Sequence, residues 1–244
     1  MTLSIEPAVR TQLALAALAV DLRKSYGLGP SADHALAGVS VPFVRNRFTA
    51  VLGPPGSGKT TLLRCLAGLD RPTSGHTFVG SVDLATLDDA GLTQLRRRKI
   101  GLVFESHNLV PTLTVAENVT LPADLAGLPV DGEWREFLLE ELGLAGIRAR
   151  RPGELSRGEQ QRVACARALI SMPELILADE PAGSLDPSSA VAIVRFLRQC
   201  VSDFDQSVVM VTRDPRCAAY ADHIAFLDGG IVVDDFGLLA SVTW

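Results

Sequence analysis

GPPGSGKTT, residues 53–61, follows the apolar run Phe48 to Leu52 and precedes a helical one, Leu62 to Leu69. It fits the P-loop pattern G-x-x-x-x-G-K-[ST] in full. In that pattern glycines let the chain fold into a loop whose N–H groups point inward at phosphate oxygens. The helix that follows turns the positive end of its dipole to the same anion. Gly53, Pro54, Pro55, Gly56, Ser57, Gly58, Lys59, Thr60 and Thr61 therefore form a candidate nucleotide phosphate site. Lys59 would bridge the terminal phosphates, and Thr60 would ligate Mg²⁺. A glycine-rich turn that happens to contain a lysine is the competing reading, and the strand-loop-helix setting weighs against it.

Downstream, LILADEP (Leu175 to Pro181) is a continuous apolar run ending in two acids. A central parallel strand has this form when its carboxyl end opens on a site. Asp179 is a candidate to hold Mg²⁺ through water, and Glu180 a candidate general base that polarises an attacking water. Two neighbouring acids alone are weak evidence, but with a P-loop upstream the pair is specific.

The remaining segments alternate between strand and helix patterns. Residues 18–26 and 35–44 read as an antiparallel pair, with Tyr26 at the end of the first. Residues 71–80 read as a turn and short strand, 84–99 as a helix ending in Arg96, Arg97, Arg98 and Lys99, and 100–104 as a buried strand. The basic run complements a helix C-terminus, and contact with lipid headgroups is its sharper alternative. Residues 106–130, punctuated by Pro111, Pro122 and Pro129, read as loop. Trp134, Phe137, Leu138, Glu141 and Leu142 show helical spacing, with the apolar members reading as core rather than a ligand site. Residues 157–170 open a helix rich in small residues, and Asp186-Pro187 starts another. Val208 to Val211 reads as a buried strand, and 224–227 with 231–233 as a hairpin. The expected class is α/β with a mainly parallel central sheet.

With 244 residues and 47% hydrophobic content, the chain can bury one large domain. A net charge of -5 supplies no basic footprint, which argues against a nucleic acid partner. Cys65, Cys165, Cys200 and Cys217 form no C-x-x-C pair and read as reduced core residues of a cytosolic chain. The best candidate for a membrane span, Leu13 to Val20, is far short of the roughly 18 residues required. If a membrane matters, another chain supplies it.

From about Leu18 to Asp235 the chain resembles the ATP-binding subunit of an ATP-binding cassette (ABC) transporter. LRRRKIGLVF, NLVPTLTVAENV and GEQQRVACARAL are most similar to the lipoprotein-release and macrolide-export branch. The resemblance implies a P-loop ATPase core with an N-terminal antiparallel β subdomain and an inserted helical subdomain at about 106–156. Residues 1–17 and 236–244 would then be an extension and a tail. It also implies ATP and Mg²⁺ as ligands, and a head-to-tail homo- or heterodimer at the cytoplasmic face of the cell membrane, beneath a permease subunit.

By position, Tyr26 matches the aromatic that stacks on adenine, and Asp179 and Glu180 match the metal-holding acid and catalytic base. LSRGE, Leu155 to Glu159, matches the signature that reaches the partner's γ-phosphate through Ser156 and Gly158. Ser184, Leu185 and Asp186 match the segment that speaks to the opposite site. Three positions depart from the pattern: Glu105 stands for glutamine, Arg213 for the switch histidine and Arg157 for glycine. A carboxylate about 4 Å from a phosphate charge is repelled by roughly 4 kcal/mol at an effective dielectric of 20. Glu105 thus needs a cation, Mg²⁺ or Arg213. Retention of Glu180 favours an ATPase that drives transport. Glu105 and Arg213 favour an ATP-binding regulatory subunit with little hydrolysis.

Overall fold

The structure is a computed structural model and describes residues 15–27, 29 and 32–236. Two long strands, β1 (Leu15–Tyr26) and β2 (Asp33–Val44), pair antiparallel, so β1 opens three residues ahead of the expected start at 18. The buried strand β3 (Phe48–Leu52) leads into the P-loop and α1 (Lys59–Leu66). This helix begins three residues earlier than the apolar periodicity suggests, because Gly58 in the left-handed region (φ 97°) turns the loop directly into it. Strands β4 (Ser74–Val79) and β5 (Val82–Asp83) complete a small antiparallel sheet of order β2-β1-β4-β5.

The expected helix over 84–99 is a 3₁₀ turn, Leu84–Thr86, followed by α2 (Asp89–Lys99), which Asp88 caps. Two of its four terminal cations are tied down within the protein, as Arg96 donates to the Gly68 carbonyl and Lys99 pairs with Glu174 at 3.0 Å. Strand β6 (Ile100–Val103) follows.

The loop expected over 106–130 is corrected by α3 (Val115–Ala126). Pro122, inside that helix, removes one backbone donor and hides the pattern. A capping box between Thr114 and Glu117 starts the helix, and Val115, Asn118, Val119 and Ala123 bury one face of it. Helix α4 (Gly132–Glu141) brings Trp134 and Phe137 together with Phe204 at centroid separations of 4.9–5.4 Å, an aromatic core as expected.

Then come α5 (Arg157–Leu169), β7 (Leu175–Asp179), α6 (Pro187–Phe204), β8 (Ser207–Thr212), the short α7 (Pro215–Ala218), β9 (His223–Asp228) and β10 (Ile231–Phe236). The central sheet has order β10-β9-β3-β8-β7-β6 and is parallel except for the terminal β9–β10 hairpin.

Strand alternation divides the core in two. Leu175, Leu177, Val209 and Val211 face α1 and the antiparallel sheet, while Ile176, Ala178, Val208 and Met210 face the helices α3 to α7. Because both faces are covered, these strands read as unbroken apolar runs. All four cysteines are free and buried. Burial pushes the Cys65 and Cys165 thiols up to about 12, which keeps them protonated and unreactive.

Candidate nucleotide site

The P-loop connects the C-terminal end of β3 to α1, and the close approach of neighbouring backbone requires its glycines. A Cβ on Gly53 would meet the Leu227 carbonyl oxygen at 2.1 Å, and one on Gly58 would meet that of Ala35 at 2.2 Å. The loop is thus pinned against β9 and β2. Lys59 is buried, and its ammonium donates to the carbonyls of Gly53 (2.8 Å) and Pro54 (2.7 Å) and to Ser57 Oγ (3.3 Å). Burial lowers its pKa; the Glu180 and Asp179 charges oppose that shift and Arg213 adds to it.

One pocket is lined by Tyr26, Asp33, Ala35, Pro55 to Thr61, Glu105, Glu180 and Arg213. A chain with 154 positions separating Tyr26 from Glu180 closes on a single cavity because β3, β7 and β8 lie side by side, each ending at that edge. Thr60 Oγ1 donates to Asp179 Oδ1 at 3.0 Å, which links the first turn of α1 to the end of β7.

Beyond Asp179 the backbone of Glu180 takes a left-handed conformation (φ 43°), held by its N–H to the Val211 carbonyl and by its own carbonyl accepting from Gly183 N–H. Such a conformation costs about 1–3 kcal/mol at a non-glycine residue and persists only where surrounding contacts over-determine it. Here it turns the side chain toward Thr212, whose hydroxyl donates to Glu180 Oε2 at 3.2 Å. The backbone N–H of Arg213 also bonds the carboxylate.

Burial raises the carboxyl pKa of both Asp179 and Glu180. Hydrogen bonds from Arg213 N–H and Thr212, and the charges of Lys59 and Arg213, hold Glu180 back from a larger rise. A base works deprotonated, so a raised pKa moves the acid limb of turnover upward, above the usual 4.5 of a glutamate. Thr212→Val removes a bond to the charged form and is expected to move that limb higher still. A pH–rate profile checks this, and a limb that stays put or moves down refutes the assignment.

Tyr26 lines the pocket and is 40% exposed, so part of its ring is open to a ligand. Its hydroxyl donates to Asp70 Oδ2 at 2.7 Å, Arg64 Nε holds the same oxygen at 3.0 Å, and the Lys24 ammonium lies 5.0 Å from the ring centroid. Glu105 and Arg213 line the pocket too, yet they form no ion pair with each other, and among the described residues Glu105 has no hydrogen-bond or ionic partner. The expected pairing through Arg213 is therefore absent here; Arg213 meets Glu180 through its backbone instead.

Ser156 and Gly158 are outside this pocket. Ser156 caps α5 and accepts from Glu159 N–H at 3.2 Å, while Glu159 accepts from Ser156 N–H at 2.7 Å. Asp186 caps α6 through the N–H groups of Ser188 and Ser189, and these bonds with the serine hydroxyls hold its carboxyl far below the usual range. Thr212, Asp70 and Arg64 escaped sequence reading because they belong to no local pattern.

Residues 36–183 match the ABC transporter family. The chain is 44% identical over 217 residues to the lipoprotein-releasing system ATP-binding protein LolD of Anaeromyxobacter dehalogenans, covering 87% of this chain and 91% of that one. It is 39% identical to the macrolide export ATP-binding/permease protein MacB of Nitrobacter winogradskyi, covering 88% of this chain but 34% of the relative. Among solved structures, dimeric MJ0796, a bacterial ABC transporter cassette by its description, superposes with a TM-score of 0.85 at 36% identity, covering 91% of this chain and 98% of that one. A post-hydrolysis dimer of MJ0796 bound to ADP and Pi gives 0.83 at the same identity and coverage. The MJ0796 protein of Methanocaldococcus jannaschii is described as an ABC transporter ATP-binding protein. Loop, strand-end acids, sheet order and relatives agree, and the chain belongs to the ABC transporter family as an ATP-binding subunit.

Proposed function

We propose that this chain binds MgATP in the pocket built on residues 53–61, hydrolyses it with Glu180 as the base, and drives a separate membrane permease as one half of a head-to-tail dimer. The carrying observation is the convergence of Lys59, Thr60 and Glu180 on one cavity, with Thr60 and Asp179 in direct contact at 3.0 Å. In this reading Tyr26 stacks on adenine, and Lys59 exchanges its loop carbonyls for terminal phosphate oxygens. Ser156 and Gly158 serve the partner's nucleotide, consistent with their place outside this chain's own pocket.

The residues suit Mg²⁺. Thr60 hydroxyl and Asp179 carboxylate are hard oxygen donors, and both line, with Glu105, a cavity next to the phosphate loop. Among the described residues no cluster of three or more His, Cys, Asp or Glu side chains is assembled for a metal, as befits a cation held mainly by substrate phosphates and water. Bound there by Thr60 and Asp179, and by Glu105 as an added ligand, Mg²⁺ would neutralise phosphate charge. Glu180 accepts the proton of the attacking water, and its left-handed backbone fixes the direction from which it does so.

The domain spans about 18–235, and its segment 106–156 faces the permease. No helix among the described residues is long and apolar enough to cross a membrane. Its likeness to ATP-binding proteins of membrane export and release systems supports a place at the cytoplasmic face, on a partner that supplies the membrane part. Isolation of the native complex tests the reading. The expected result is a permease with several apolar helices, recovered together with MgATP turnover. Bound ATP without turnover selects the regulatory alternative, and recovery of no membrane protein removes the transport role.

A further inference from the structure

Helix α5 carries a half-buried arginine that the site as described does not use. Arg167 sits on its last turn, and among the described residues it has no carboxylate partner. Its guanidinium donates through Nη2 to the His107 carbonyl and through Nη1 to the Asn108 carbonyl, both at 2.6 Å. Burying a charge away from water is costly unless its donors are satisfied, and burial pulls the Arg167 pKa down.

The two residues it grips are unusual as well. His107 (φ 58°) and Asn108 (φ 51°) are consecutive non-glycine residues in the left-handed region. His107 N–H donates to the Phe104 carbonyl at 3.2 Å, closing a turn with Glu105 and Ser106 at its centre. Asn108 N–H donates to the Ser106 carbonyl at 2.6 Å. The turn therefore aims Glu105 into the nucleotide pocket, and the guanidinium fork fixes the end of that turn. A little further on, the buried Asn118 accepts from Val110 N–H and donates to the carbonyls of Val110, Leu113 and Thr114, so the segment from 110 to 114 is anchored too.

We infer that Arg167 is a positioning residue for the reaction: by clamping the His107 and Asn108 carbonyls it sets Glu105 against the nucleotide pocket and ties that setting to the helix bearing the LSRGE segment. The inference rests on the hydrolytic reading above. Arginine suits the task because its rigid planar fork meets two carbonyls at once, whereas a lysine ammonium is a single point of charge on a flexible stem. Helix α5 runs about 16 Å from Ser156 to Arg167, so a shift of its signature end is carried to the turn by a rigid rod.

The test is a double-mutant cycle on the full chain, with Arg167→Lys and Glu105→Ala, read as MgATP turnover. Arg167→Lys is expected to lower kcat by roughly 10²-fold, the scale of a misplacement of about 1 Å, with KM little changed because Lys59 and its loop are untouched. In the Glu105→Ala background the same substitution is expected to have no further effect on kcat. An equal loss in both backgrounds overturns the positioning role, as does unchanged kcat in Arg167→Lys. A wild-type chain with no turnover overturns the hydrolytic reading itself, and this inference with it. Hydrogen exchange on the wild-type chain gives a measurement that does not depend on a variant folding. The His107 and Asn108 amides are expected to be as protected as those of α5, and exchange at the rate of an open loop overturns the clamp.

Discussion

Lys59→Ala is expected to weaken MgATP binding by about 10²-fold or more. The lysine ammonium is the one cation buried in the phosphate loop. In the free protein it spends its donors on the carbonyls of Gly53 and Pro54 and on Ser57 Oγ. A nucleotide replaces those neutral acceptors with charged phosphate oxygens, and hydrogen bonds to charged groups contribute about 1.5–3 kcal/mol each. Loss of about 3 kcal/mol is a factor of ~10² in Kd. Isothermal calorimetry with MgATP reads it directly. A melting curve on the same variant separates loss of binding from loss of fold, since two loop carbonyls lose their donor. Undiminished affinity in a folded variant would sink the assignment of the loop as the phosphate site.

Glu180→Gln should leave binding nearly intact and lower kcat by about 10²–10⁴-fold, the range for removing a positioned general base. Glutamine is close in shape, its carbonyl oxygen can still accept from Thr212 and from Arg213 N–H, and the main-chain bonds to Val211 and Gly183 that hold residue 180 left-handed are untouched. What disappears is the capacity to take a proton. A fall confined to kcat identifies an interaction made only in the transition state, whereas a rise in KM alone would place Glu180 in binding. Equal turnover by the variant and the wild type would show that the base lies elsewhere, and Glu105, which lines the same pocket, is the carboxylate to test next.

The parts legible beforehand were those in which physics acts between near neighbours. GPPGSGKTT contains the glycines, the lysine and the hydroxyl that its loop requires, within 9 residues. LILADEP announces a strand covered on both faces and its acidic end; the structure places Glu180 on one cavity wall with the loop and Asp179 against Thr60. Residues 115–126 read as loop in the sequence because Pro122 interrupts the helical signal. The capping box that outweighs it, Thr114 with Glu117, is visible in the sequence as T-x-x-E.

Other features had no local signature at all. Glu180 finds Thr212 across 32 positions, Tyr26 finds Asp70 across 44, and Arg167 finds His107 across 60. Each of these bonds exists because packed elements bring distant polar groups within about 3 Å, and a hydrogen bond weakens steeply beyond that range.

The amino-acid order therefore settled the phosphate loop, the acids at the strand end, the alternation that builds a parallel sheet, and with them the family. Those depend on spacing of 2 to 4 residues and on the conformational freedom of glycine. The tertiary structure alone decided that Glu180 stands in a left-handed conformation beside Thr212, that Glu105 and Arg213 share a pocket without pairing, and that Arg167 grips the turn carrying Glu105. Orientation, burial and partnership are properties of three-dimensional neighbours, and chain separation carries no information about them.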